Sequence, residues 1–224
     1  MKIVVVIPAY NEASVIASVI APVVQQGYEV VVVDDGSKDA TATIAQQAGA
    51  LVVRHFLNRG QGAALQTGIT YAVHHDADCI VTFDADGQHH ADEIDQLVQP
   101  LLLGTVDAVL GSRFLRKGNS IPWQRQLLLK TATAFTKLYT GLGVTDAHNG
   151  FRALSRVAAR QIFIARDGMA HASEIIEQIR KYHLRFIEVG VTIDYTYYSQ
   201  HKGQKLTNSF NIIWELLLGR ITKS

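Results

Sequence analysis

Five short runs rich in β-branched residues recur through the first half of the chain, at residues 3–7, 30–33, 51–53, 80–83 and 108–110. Polar or glycine signals bound each of them, and runs of this kind read as strands buried on both faces. Between them lie stretches of helical length, at residues 14–25, 40–47, 61–74 and 92–102. Such alternation restricts the chain to an α/β fold: a mostly parallel central sheet, right-handed crossovers and flanking helices. Ligands of these sheets sit beyond the carboxyl ends of the strands. The loops after Ile7, Val33, Phe83 and Leu110 are therefore where chemistry is expected.

The second half is less regular. Residues 123–140 read as a helix ended by Gly141 and Gly143, 150–154 as a short strand, 156–163 and 174–182 as helices, and 185–195 as strand-like. Residues 207–221 place Phe210, Ile213, Trp214, Leu217 and Ile221 at helical spacing. With four prolines and no repeat, the 224 residues read as one domain over 1–206. Residues 207–224 then form an amphipathic helix packed on that domain, on a second subunit or on a membrane surface. A hydrophobic share of 48% against 18% charged supplies a sizeable core and excludes disorder. Net charge is +1, so no one-sign field is available for nucleic acid. Cys79 sits in an apolar run and reads as a buried thiol in a reducing compartment. Residues 1–8 lack the apolar region of a signal peptide, and no window approaches a membrane span. The expected location is the cytoplasm, free or peripheral on the cytoplasmic membrane face.

The expected strand ends are acidic. Asp84-Ala85-Asp86-Gly87-Gln88-His89 follows one of them. Two carboxylates one residue apart repel each other unless a cation lies between them. Mg²⁺ or Mn²⁺, which prefers oxygen ligands and bridges carboxylates to phosphates, fits Asp84 and Asp86, with Gln88 as a further ligand. Asp34-Asp35-Gly36-Ser37 follows another and suits turn and cap chemistry as well as a ligand. The pairs His74-His75 and His89-His90 lack metal-ligand spacing and read as solvated or packing histidines. Asn58-Arg59-Gly60-Gln61-Gly62 opens a helix, and its N–H groups are candidates to meet an anion. It matches neither a Walker loop nor a dinucleotide fingerprint, which disfavours a nicotinamide enzyme.

Six segments in order resemble family 2 glycosyltransferases: Ile7-Pro8-Ala9-Tyr10-Asn11-Glu12, the Asp34–Thr41 stretch, Asn58–Gly62, Asp84–His89, Gly111-Ser112-Arg113-Phe114 and Asp146-Ala147-His148-Asn149-Gly150-Phe151-Arg152. Within that family the chain is similar to the dolichol-phosphate-mannose synthase-like and bacterial polyprenyl-phosphate branch. The resemblance implies a GT-A fold that binds a UDP- or GDP-linked sugar and transfers the sugar with inversion. It implies that Pro8, Tyr10 and Glu12 line the nucleoside pocket, with Asp34 near the base or ribose, and that Asp35, Gly36 and Gly62 belong to the donor-binding set. Asp84 and Asp86 would hold the diphosphate-bound metal beside Gln88. Arg113 and Arg125 match a basic set that meets a lipid phosphate acceptor, and Lys205 lies in a terminal basic loop. That loop departs from the usual Arg-x-x-Gly-x-Ser-Lys, and Asn149 stands where Ser is usual.

Two acceptors remain open at this level. A polyprenyl phosphate is already ionised and needs cations. A sugar hydroxyl needs a general base, for which Asp146 is the candidate. Competing structural roles are equally concrete: Arg113 in a surface ion pair with an acid such as Asp107, Asp146 paired with Arg152, and Tyr195, Tyr197 and Tyr198 as strand packing.

Overall fold

A computed structural model describes residues 1–118, 123–168 and 170–195, the side chains of Gln124, Arg125 and Tyr139 excepted. Strands β1 (Ile3–Ala9), β2 (Glu29–Asp34), β3 (Leu51–Arg54), β4 (Cys79–Thr82), β5 (Ala108–Ser112), β6 (Arg152–Ser155) and β7 (Phe186–Gly190) form one sheet in the order β3-β2-β1-β4-β6-β5-β7. Helices α1 (Ile16–Gln25), α2 (Thr41–Gln47), α3 (Gln61–His74), α4 (Ile94–Leu102), α5 (Trp123–Thr140), α6 (Arg156–Gln161) and α7 (His171–Lys181) accompany it. Arg125 falls within α5. Lys205, Tyr197, Tyr198 and the expected helix 207–224 lie outside the described residues.

Both sheet faces are covered, which is why β1 and β2 are unbroken apolar runs rather than alternating ones. Val5 and Ile7 join the core formed with Ile16, Ile20, Ile94 and Leu97 of α1 and α4. Val4 and Val6 face the opposite core, with Leu65, Ile69, Ile175 and Ile176 of α3 and α7. Gly68 permits the close seat of α3, because a Cβ there would lie 2.2 Å from Val6 Cγ1. Cys79 is buried and unpaired, and burial pushes its thiol up to about 12, with Asp78 adding to the rise. It is an inert core residue. Among the described residues no helix is long and apolar enough to cross a membrane.

β6 departs from the parallel pattern: it runs antiparallel to both neighbours, with Arg152 opposite Thr82 of β4 and Leu110 of β5. Its first residue therefore sits at the carboxyl ends of those strands, and the loop 145–151 that precedes it enters the same edge. The expected strand 185–195 stops at Gly190. Residues 191–195 leave the sheet but stay beside it, with Val191 N–H donating to Ser112 O (3.0 Å) and Asp194 N–H to Gln88 O (3.0 Å).

Candidate active site

The loops after β1 and β2 brace each other. Asn11, in the left-handed region at φ 53°, donates its N–H to Ser37 Oγ (2.9 Å) and accepts the Lys38 N–H at Oδ1 (2.9 Å). Glu12 donates its N–H to Thr41 Oγ1 (2.7 Å). Pro8 is buried and Tyr10 exposed. The buried Asp34 accepts the Ser37 N–H at Oδ1 (3.0 Å), and its Oδ2 lies 2.9 Å from Arg54 Nε. Gly36 is required here, since it has φ 75° and a Cβ would sit 2.7 Å from the Leu57 carbonyl carbon.

Asp35 organises the glycine-rich loop. It accepts the Arg59 N–H (2.9 Å) and the Gly60 N–H (2.7 Å), and its Oδ1 lies 2.7 Å from His55 Nδ1. His55 Nε2 in turn lies 2.9 Å from Thr67 Oγ1 on α3. The Gly62 N–H donates to Asp167 O (2.8 Å), and a Cβ on Gly62 would lie 2.0 Å from Arg166 O. These three N–H groups, expected to be candidates for an external anion, are committed within the protein. The anion at the loop is the protein's own Asp35.

Beyond β4, Asp84 accepts from Gln61 Nε2 at Oδ1 (2.9 Å) and faces His89 Nε2 at Oδ2 (3.0 Å). Burial raises its pKa, but the hydrogen bond from His89 and the electrostatic attraction of the His89 side chain and the Arg113 guanidinium outweigh that and hold it below the usual carboxylate range. Asp86 moves the other way. Burial first, then the charge of Asp84, raises it to about 6. Its Oδ1 accepts the Gln88 N–H (3.1 Å). The pair carries a like-charge conflict that a divalent cation relieves, and the oxygen donors of Asp84, Asp86 and Gln88 suit Mg²⁺ or Mn²⁺.

The loop before β6 closes the other side. Asp146 Oδ2 accepts from Arg113 Nε (2.6 Å) and from the Arg113 N–H (3.1 Å). Arg113 Nη2 also donates to His148 O (3.3 Å), and Tyr195 lies beside the guanidinium while packing against the core. The expected alternatives are corrected accordingly. Arg113 is buried and not on the surface; Asp107 pairs instead with Arg185 (2.9 Å). Arg152 does not pair with Asp146. Its guanidinium donates to the carbonyls of Asn149 (3.0 Å), Ala172 (3.1 Å) and Ala147 (2.9 Å), and burial lowers its pKa to about 10. A buried arginine spending its fork on three carbonyls fixes the path of the loop. Gly150 lies directly beneath Asp84, where a Cβ would be 2.4 Å from Oδ2.

Residues 4–163 match the family model Glycosyl transferase family 2. The chain belongs to that family. This family 2 member is 30% identical, over 97% of its length and 96% of the relative's, to a UDP-N-acetylglucosamine–dolichyl-phosphate N-acetylglucosaminyltransferase of Methanococcus voltae. It is also 30% identical to the polyprenol monophosphomannose synthase of Mycolicibacterium smegmatis, covering 86% of this chain and 76% of the other. Among solved structures, a glucosyl-3-phosphoglycerate synthase from Mycobacterium tuberculosis, in complex with Mn²⁺, UDP and glucosyl-3-phosphoglycerate, superposes with a TM-score of 0.75 at 25% identity. That match covers 98% of this chain and 79% of the other. The sheet and its flanking helices are thus those of a GT-A glycosyltransferase.

In this family 2 member the structure gathers the expected residues at the ends of β1, β2 and β4, with Arg113 and Asp146, along one sheet edge. Sequence reasoning missed Gln61, His55, His148 and His171, and placed His89 among packing histidines. Burial lowers His148 and His171 to about 4, with the positive charge of Arg152 adding to the effect, so both are neutral imidazoles. No spacing rule reaches them, because their burial is decided by tertiary packing.

Proposed function

We propose that this family 2 member transfers a sugar, with inversion, from a nucleoside diphosphate sugar to a polyprenyl phosphate such as dolichyl or undecaprenyl phosphate. One observation carries the choice of acceptor. Asp146, the candidate base for a hydroxyl acceptor, is wholly buried on Arg113 Nε at 2.6 Å. A phosphate acceptor is already ionised at neutral pH and needs no base there. The two relatives named above, which act on or make polyprenyl-linked phosphates, support the same reading.

In this reading the nucleoside lies between the loops of Pro8, Tyr10, Glu12 and Asp34, and the diphosphate lies over Asp84, Asp86 and Gln88. Those three residues would hold Mg²⁺ or Mn²⁺, which would supply positive charge to the leaving diphosphate. An acceptor phosphate oxygen attacks the anomeric carbon from the face opposite the diphosphate. The C–O bond to the diphosphate breaks as the new one forms, which inverts the centre. Arg125 and Lys205 bring positive charge to the two phosphates, while the charge of the buried Arg113 is met by Asp146. Positive charge there offsets the repulsion between acceptor and donor phosphates.

The chain works at a membrane surface in this reading. Trp123, Leu127 and Leu138 are exposed on α5, near the exposed Lys130 and Lys137. Apolar side chains flanked by lysines suit a bilayer with anionic headgroups. The expected helix 207–224 would pack on the domain, on a second copy of the chain or on the membrane surface.

A donor screen tests the proposal: UDP- and GDP-sugars, with nucleotide release measured with and without polyprenyl phosphate. Release that depends on the lipid phosphate supports it. Robust transfer to a sugar alcohol, abolished by Asp146→Asn in a folded protein, moves the assignment to a hydroxyl acceptor.

A further inference from the structure

The Asp84 carboxylate is gripped from both sides before any ligand arrives. Gln61 Nε2, on the first residue of α3, takes Oδ1 at 2.9 Å, and His89 Nε2 stands 3.0 Å from Oδ2. Asp86 has a different setting, with the Gln88 N–H on its Oδ1. The two acids are thus not equivalent: one is held by side chains from two separate elements, the other by its own turn.

His89 is itself held by rings. Its centroid lies 5.3 Å from Phe83 at 67° and 5.0 Å from Phe151 at 39°, and Phe83 and Phe151 meet edge to face at 5.2 Å. The side chain is 2% exposed. Its Nδ1 is buried without a hydrogen-bond partner among the described residues. A carboxylate oxygen only accepts, so the hydrogen bond to Asp84 places a proton on Nε2. With Nε2 turned onto Asp84 and Nδ1 enclosed by aromatic packing, neither nitrogen is open to a metal ion.

We infer that His89 is a positioning residue for Asp84: its Nε2–H, aimed by Phe83 and Phe151, fixes the orientation of the carboxylate that holds the divalent cation. The aromatic packing replaces the second hydrogen bond that usually orients an imidazole beside a metal site. Gln61 completes the grip and ties the start of α3 to the same carboxylate. Gly150 leaves the space beside the carboxylate clear, because a Cβ there would lie 2.4 Å from Asp84 Oδ2, so the two side-chain hydrogen bonds set its orientation. This inference rests on reading Asp84 and Asp86 as the cation site.

Mn²⁺ titrated into the full-length protein, alone and with UDP or GDP, and followed by electron paramagnetic resonance, provides the test. His89→Phe keeps the ring and removes the donor; His89→Gln keeps a donor at the reach of Nε2. The expected result is Mn²⁺ affinity lowered by about ten- to a hundredfold in His89→Phe, with an unchanged melting temperature, and largely restored in His89→Gln. Wild-type affinity in a folded His89→Phe overturns the inference and leaves the cation site standing, as does equal loss in both variants. Failure of the wild-type protein to bind Mn²⁺ under any of these conditions overturns the cation site and the inference together. Nitrogen-15 imidazole spectra of the wild-type protein give a second reading that needs no variant. A proton on Nε2 of His89 is expected, and a neutral ring protonated on Nδ1 overturns the inference.

Discussion

Arg113 Nε lies 2.6 Å from Asp146 Oδ2, and the two side chains are 6% and 0% exposed. Removing one member of a buried ion pair leaves the other charge uncompensated, which typically costs about 3–5 kcal/mol. Asp146→Asn is therefore expected to lower the melting temperature by roughly 10 °C in a domain of this size. Calorimetry alongside activity separates the roles. A variant that is fully stable but inactive would identify Asp146 as a base and not as an anchor.

The Asp84/Asp86 pair sets a pH dependence in metal-free protein. Asp86 titrates near 6 when folded, above its ordinary range. The folded state therefore holds this proton more tightly than the unfolded chain does. The stability contributed by the protonated form is present below the unfolded value of about 4 and is lost as pH rises through about 6. After a discount for partial exposure, the loss is on the order of 2 kcal/mol. Denaturant titrations in chelator should show it, Asp86→Asn should flatten it, and added Mn²⁺ should reverse it. With donor and acceptor present, chelator and Asp86→Asn are each expected to reduce turnover by orders of magnitude.

His148 and His171 act in the opposite sense. Both fall to about 4 when folded, so the unfolded chain takes up these protons first. Their neutral burial contributes stability that is complete above about 6.5 and is lost as pH falls toward 4, by on the order of 3 kcal/mol per ring. His171→Asn retains a donor for the Gly168 carbonyl, which His171 Nδ1 meets at 2.9 Å, and removes the titration. The variant should lose less stability than wild type between pH 7 and pH 4.5, measured by chemical unfolding. Parallel curves would show that His171 is not a neutral buried ring.

Gly150→Ala probes the floor of the site. The added Cβ would stand 2.4 Å from Asp84 Oδ2, so the carboxylate must turn or the loop must shift. Overpacking of this kind costs about 1–3 kcal/mol. The expected signature is a modest fall in melting temperature with a much larger loss of nucleotide-dependent Mn²⁺ binding. Unchanged binding would mean that the loop moves and Asp84 does not.

The runs 3–7, 30–33, 51–53, 80–83 and 108–110 each became a strand, and the acidic and glycine motifs lie where parallel strands end. That much was legible because burial on both faces leaves a local mark in β1, β2, β4 and β5: β-branched residues in short runs, punctuated by turn residues; β3, expected to be buried on both faces, is instead an edge strand exposed at Leu51 and Arg54. The orientation of β6 left no such mark, because a strand of four residues reads the same in either direction. Tertiary structure decided it, and with it the arrival of Asp146, His148 and Gly150 at the Asp84 edge. Pairing followed from the same event, since Arg113 meets Asp146 across 33 residues while Arg152 serves carbonyls. Asp35 filling the glycine loop and His89 turning onto Asp84 were likewise beyond sequence reasoning. A hydrogen bond depends on which backbone passes within about 3 Å of a side chain, and periodicity carries information only about which face that side chain leaves.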